Sequence, residues 1–155
     1  MSGRGRLVPA VAGTIAVLIV VAAVIAGFMV VGSPWEARKE AADARRVEEL
    51  LQIADNIRAY YRVKGKAPKD LVELVRYFQL YWLSTKDPVT NRPYEYRRLD
   101  ELRYELCAVF DTDQSQREMT DWEARHLSPA RAAIHRHPKG RACFVLDAKR
   151  DSEGD

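Results

Sequence analysis

Between Leu7 and Val31 the chain carries no Asp, Glu, Lys or Arg, a run of 25 residues rich in Val, Ala, Ile and Leu. A bilayer core of about 30 Å is crossed by ~20 apolar residues, each rising about 1.5 Å along a helix. Lipid offers no partner for backbone N–H and C=O groups, so the run is expected to be helical. Pro9 falls near its start, where a missing N–H costs little. A cleaved signal peptide would have a shorter apolar region, about 7–15 residues, and a small-x-small cleavage site. The tail Gly27-Phe28-Met29-Val30-Val31-Gly32-Ser33-Pro34 offers no clear site of that kind. The expectation is an uncleaved single-pass anchor over 7–31, behind a stub over 1–6. Trp35 falls at the lipid–water boundary, where amphipathic rings concentrate.

Charge resumes densely beyond the run. All 22 acids lie at or after Glu36, and of the 25 Lys and Arg only Arg4 and Arg6 precede it. The remainder holds 23 bases against 22 acids, a balance that argues against a nucleic-acid surface. Counting Arg38, Lys39, Arg45 and Arg46 against Arg4 and Arg6 leans toward a cytoplasmic C-terminal part. The rule weakens for a long following domain, and the cysteine pattern below argues the other way. The favoured reading places the N-terminus in the cytoplasm and the domain outside, anchored in the inner membrane.

From Trp35 to about Val63, Val47, Leu50, Leu51, Ala54, Ile57 and Tyr61 recur at spacings of three and four, one apolar stripe on a helix. Arg45, Arg46, Glu48, Asp55 and their like mostly fill the other faces. Gly65 suits the helix end, and Pro68 opens a short helix through about Phe78. Leu80 to Thr85 is a connection. Asp87-Pro88-Val89-Thr90-Asn91-Arg92-Pro93 is turn chemistry.

After Pro93 the period becomes two. Tyr94 to Arg97 alternates, Asp100-Glu101 turns the chain, and Arg103 to Phe110 reads as a strand with Tyr104, Leu106, Ala108 and Phe110 on one face. Ala142 to Asp147 reads as a third strand. The insertion between them, 111–140, contains a capping-box pair in Thr120 and Glu123 and a second helix start at Ser128-Pro129. Residues 149–155 form a polar tail. The fold class is therefore α+β: a transmembrane helix continuing into an amphipathic helix packed on a small antiparallel sheet, with the domain spanning 35–148.

Cys107 and Cys143 are the two cysteines. If their strands are antiparallel neighbours, one register puts both on one face and the bulky apolar set on the other. That predicts a cross-strand disulfide, with two buried free thiols as the alternative. A disulfide points to an extracytoplasmic location.

The order Ile57-Arg58-Ala59-Tyr60-Tyr61-Arg62-Val63-Lys64-Gly65-Lys66-Ala67-Pro68, then Leu71 and Leu74, then Asp87-Pro88 and Pro93-Tyr94-Glu95-Tyr96, resembles the type IV pilin-like proteins. Within them it is most similar to the major pseudopilins of type II secretion. The resemblance covers roughly residues 10–110. It implies a pilin-like head and a structural or interaction role in the envelope. The leader does not follow the family: Leu18 stands where the family carries Glu, and the usual prepilin cleavage motif is missing. That Glu serves filament assembly, so a tethered binding or sensory module of the same fold is the alternative.

No nucleophile elbow, P-loop, zinc-protease or dinucleotide motif occurs, so neither an enzyme nor a cofactor is expected. No carboxylate is expected on the apolar stripe, where a raised pKa would be expected. His135 and His137, with His126, are a weak metal-ligand pattern, and a solvated basic loop is the favoured reading. Asp111-Thr112-Asp113-Gln114-Ser115 is rich enough in oxygen for calcium, and the resembled family often binds calcium between late strands. It lacks the Gly and terminal Glu of an EF-hand, which favours a polar turn. Of the aromatic residues in the middle of the chain, Tyr81 and Trp82 are the pair expected outside the core, as partner contacts. The expected partners are the lipid bilayer and a protein partner or a second copy, not nucleic acid.

Overall fold

A computed structural model describes residues 13–24, 27 and 33–149. The stub over 1–6, the tail beyond 149, and positions 7–12, 25, 26 and 28–31 of the predicted anchor lie outside the described residues. The chain divides into two units, Met1–Arg38 and Lys39–Asp155. In the first, residues 13–24 are helical, and Ile15, Val17, Leu18, Ile19 and Val20 are exposed. Among the described residues no helix is long and apolar enough to cross a membrane.

Helix α1 runs over Pro34–Lys64, 31 residues. Pro34 occupies its first position, and Ser33 Oγ accepts the Trp35 N–H at 3.3 Å. At the other end Gly65 adopts φ 69°, and its N–H bonds the Tyr61 carbonyl at 2.8 Å. A left-handed residue at this point satisfies a carbonyl the helix would otherwise leave open. Val47, Leu50, Ile53, Ala54, Ile57 and Tyr60 are buried. Leu51 and Tyr61 pack against the core from its margin.

Helix α2, Leu71–Phe78, begins at Asp70, whose side chain accepts the Glu73 N–H at 2.7 Å. It ends at Gln79, left-handed at φ 55°. Glu73 then serves two neighbours, accepting from the Lys69 N–H at 2.6 Å and the Tyr60 hydroxyl at 2.8 Å. One carboxylate thereby fastens the start of α2 to the end of α1.

Three strands form one antiparallel sheet in the order β1-β2-β3: β1 Glu95–Arg98, β2 Arg103–Phe110 and β3 Gly140–Asp147. Tyr104 pairs with Leu146, Leu106 with Phe144 and Ala108 with Ala142, so the inner face is continuous across both strands. These residues join the buried face of α1 in one core cluster. Burying each Leu or Ile contributes about 1.5–3 kcal/mol.

The 111–140 insertion carries helix α3, Asp121–His126, and helix α4, Pro129–His135. Thr120 and Glu123 form the reciprocal capping box, and Ser128 caps α4 with Pro129 at its first turn. Helix α3 buries none of its residues, whereas α4 buries Ala132 and Ile134. The architecture is α+β with a small antiparallel sheet. Strand β3 begins two residues earlier than the alternation suggests, at Gly140, whose φ of 93° favours glycine.

Candidate functional site

Helix α1 presents more than an apolar stripe to the interior. Asp43 and Arg46, three apart and therefore on one face, are each only 2% exposed. Arg46 is thus buried, not on the outer face where its charge placed it in the sequence reading. Asp43 likewise corrects the expectation that no carboxylate lies on the buried face.

The guanidinium meets three carboxylates. Nε donates to Asp87 Oδ2 at 2.5 Å, and Nη1 donates to Asp43 Oδ1 at 2.6 Å and Asp111 Oδ2 at 2.7 Å. Asp43 also accepts the Asp111 N–H, the Thr112 N–H and the Thr112 hydroxyl, the last two at 2.7 and 2.6 Å. Asp87 accepts the Val89 and Thr90 N–H groups at 2.9 and 2.7 Å, which folds the Asp-Pro loop around its own carboxylate. Asn91 completes that loop in the left-handed region, φ 55°.

These contacts set the protonation states. Burial pushes Asp43 up, but the Thr112 hydroxyl, the backbone N–H groups and Arg46 outweigh it, and the net shift is down. Burial also opposes ionisation of Asp87, yet its bond to Arg46 and the two loop N–H groups hold it down to about 2. Arg46 is raised above its ordinary value, because the three carboxylates outweigh the burial that opposes its charge. The cluster joins α1, the Asp-Pro loop and the start of the insertion. Asp111 and Thr112 are engaged here, while Asp113 Oδ1 accepts the Ser115 N–H at 2.9 Å. The oxygen-rich loop therefore spends its carboxylates on Arg46 and on a local turn.

Beside this cluster opens a cleft of about 460 Å³. Glu40, Asp43, Ala44, Val47, Glu48 and Leu51 line it from α1. Gln114, Arg117, His135 and His137 line it from the insertion. His137 is 2% exposed and stacks on Phe110 with ring centroids 3.7 Å apart. This corrects the solvated-loop reading of His137. Burial lowers its pKa against the opposing charge of Asp43, so the ring is neutral near pH 7. Its Nδ1 is buried without a hydrogen-bond partner. Arg117 Nη2 donates to Glu123 Oε1 at 2.9 Å, while its Nη1 is also buried and unpartnered. His135 sits 4.0 Å from the same Glu123 oxygen, and burial lowers its pKa too.

The two histidines share this cleft but do not assemble a metal centre with the nearby acids. Among the described residues, the grouping that gathers three potential ligand atoms within 4.8 Å is Glu105, Cys107 and Cys143. Its sulfurs are joined to each other: Cys107 and Cys143 form a disulfide between directly paired positions of β2 and β3, with Cα atoms 4.1 Å apart. Cysteine binds a metal as the thiolate, which a disulfide does not supply.

The remaining predicted residues lie apart from the cleft. Tyr81 is 85% and Trp82 67% exposed, both on the connection after α2. Tyr81 borders an open groove of about 520 Å³, with Leu71, Val72 and Val75 along it. Trp35 is exposed in the other unit.

Sequence reasoning missed Asp43, Arg46 and Arg117 and misread His137. A signal for the first two was present. Positions 43, 47, 50, 54 and 57 continue the stripe's own spacing toward the helix start, so polar residues at 43 and 46 fall on the inward side. Comparison of the chain with protein-family models, curated proteins and solved structures finds no match.

Proposed function

We propose that this is a non-enzymatic, single-pass protein of the inner membrane, anchored over 7–31, with its folded domain outside the cytoplasm. Its head is pilin- or pseudopilin-like. Its role is structural or interactive, linked to type II secretion or a pilus-like assembly. The observation that carries the reading is the apolar, exposed helix over residues 13–24, set within a run of 25 residues without a charge. An apolar surface of that extent needs lipid or a neighbouring helix to cover it. The disulfide supports an oxidising compartment. The helix, the Asp-Pro loop and the small antiparallel sheet supply the elements of a pilin-like head. In this role the anchor helix would align protomers, and the sheet and insertion would meet a partner.

A second reading, a tethered module that binds without assembling, is favoured by two observations. The uncharged run contains no acid to pair with a neighbour's amino terminus, and a cleft of small-molecule size opens beside the charged cluster. Crosslinking of the full chain in native membranes separates the two readings. Ladders of homo-oligomers, or a defined adduct with a secretion component, support assembly. Monomers alone support the tethered module.

A further inference from the structure

We propose that the outer face of the sheet carries a metal site that reduction uncovers: once the Cys107–Cys143 disulfide is opened, its two thiolates and the Glu105 carboxylate bind one zinc ion. The inference rests on neither anchoring nor assembly, because every residue it uses lies in the Lys39–Asp155 unit.

The register of the sheet builds the site. Cys107 of β2 and Cys143 of β3 are directly paired, and Glu105 stands two residues before Cys107, on the same face. Val109 and Val145 share that face and are 56% and 51% exposed, whereas Leu106 and Phe144 between them belong to the core. The ligand atoms of Glu105, Cys107 and Cys143 lie within 4.8 Å of one another. Zinc takes sulfur at about 2.3 Å and carboxylate oxygen at about 2.0–2.2 Å, which sets tetrahedral ligand atoms roughly 3.6–3.8 Å apart. With Cα atoms 4.1 Å apart, the freed sulfurs reach that spacing by rotating about their Cα–Cβ bonds while the strands stay paired. Water takes the fourth position, as in other sites with three protein ligands.

The charges suit a soft dication. Two thiolates and a carboxylate carry three negative charges, of which zinc neutralises two. Arg97 Nη2 donates to Glu105 Oε2 at 2.9 Å, and partners of this kind orient a metal-ligating carboxylate. Arg141 Nη2 lies 3.7 Å from Cys107 Sγ while the same guanidinium holds Glu95, so positive charge beside the sulfur favours its thiolate. Sulfur ligands select zinc over magnesium or calcium.

The electrons come from a dithiol. Its thiolate attacks Sγ of Cys143, the more exposed cysteine of the pair, and the S–S bond breaks with Cys107 leaving as thiolate beside Arg141. The second thiol of the reductant then displaces Cys143 and closes the reductant's own disulfide. The cysteines gain two electrons and two protons, the dithiol loses as many, and zinc binding releases the two protons. Strands β2 and β3 are thereby tied in both redox states.

The test uses the purified full chain in detergent micelles, reduced with dithiothreitol that is then removed under argon. It is titrated with zinc chloride, and with cadmium chloride for the sulfur-to-metal absorption band. The reduced chain should bind one metal ion, show the band, release two protons and melt at a higher temperature with zinc than without. The oxidised chain should do none of these, and excess magnesium should not compete. Glu105→Gln should weaken zinc at least tenfold yet leave the melting temperature of the oxidised chain unchanged, since Arg97, its ion-pair partner there, is exposed. Cys107→Ser, Cys143→Ser should bind no zinc, whereas His135→Asn, in the cleft, should bind like the parent. Absence of zinc uptake by the reduced chain overturns the proposal. So does equal uptake by the oxidised or double-serine chain, a Glu105→Gln chain that binds like the parent, or loss of binding in His135→Asn. A reduced chain that unfolds, and that zinc does not refold by near-ultraviolet circular dichroism, overturns it as well.

Discussion

Arg46 Nε donates to Asp87 Oδ2 at 2.5 Å, joining the middle of α1 to a loop 41 positions further along the chain. Both residues are buried, and the same guanidinium also holds Asp43 and Asp111. The Asp-Pro segment thus acts as more than a turn, because its carboxylate shapes the loop and fixes that loop to the helix.

Removing the cation from this cluster should be severe. Arg46→Met leaves two buried carboxylates and one half-buried carboxylate without their counterion, and breaking a buried pair from one side typically costs about 3–5 kcal/mol. Arg46→Lys keeps the charge but cannot serve three acceptors with a planar fork, so it should recover only part of the loss. Urea midpoints of the three chains measure this. A change below ~0.5 kcal/mol for Arg46→Met would show that the cluster is not structural.

Acid should loosen the fold through the same carboxylates. Asp43 and Asp87 titrate lower in the folded chain than the ordinary 3.8, so the folded state binds fewer protons than the unfolded one in that range. Their contribution is complete above about pH 4 and is lost as pH falls toward about 2. For Asp87 the shift corresponds to roughly 2 kcal/mol at ~1.4 kcal/mol per unit. Melting temperature followed between pH 5 and 2 should fall, and Asp87→Asn should make the fall shallower while lowering the starting value. Identical slopes for the two chains would contradict the assignment.

The Cys107–Cys143 bridge closes a loop of separation 36 around the whole insertion. A chain-entropy account gives about 4 kcal/mol for a loop of that length, with measured cases commonly about 2–4. The double substitution Cys107→Ser, Cys143→Ser should lower the melting temperature accordingly, as should full reduction of the parent. Mass spectrometry of the chain isolated under alkylating conditions should show no free thiol. Two alkylated cysteines would place the protein in a reducing compartment.

Tyr81 and Trp82 are predicted to serve a partner and not the fold. The double change Tyr81→Ser, Trp82→Ser should leave stability within ~0.5 kcal/mol, as expected for exposed positions. It should diminish any crosslinked adduct of the domain in native membranes. A loss of stability above ~1.5 kcal/mol would assign the pair to packing instead.

Much of the fold was legible where a local pattern repeats. Tyr104, Leu106, Ala108 and Phe110 alternate along β2 and all face the core. Thr120, Glu123 and Ser128 announce two helix starts, and each cap is formed. The cysteines follow from a single register of β2 and β3. The charged cluster was not legible in the same way. Hydropathy assigns Arg46 to solvent, and its partners Asp87 and Asp111 lie 41 and 65 positions away. His137 is flanked by exposed Arg136, Pro138 and Lys139, so its neighbours in sequence suggest solvent. Its actual environment is the Phe110 ring at the end of β2, a contact that no local period encodes.

The proposed anchoring is tested most directly by alkaline carbonate extraction of membranes from cells making the full chain, followed by intact-mass measurement. The account predicts a chain that stays in the membrane pellet and retains the whole uncharged run from Leu7 to Val31. Recovery of the protein in the supernatant, beginning beyond Val31, would contradict it.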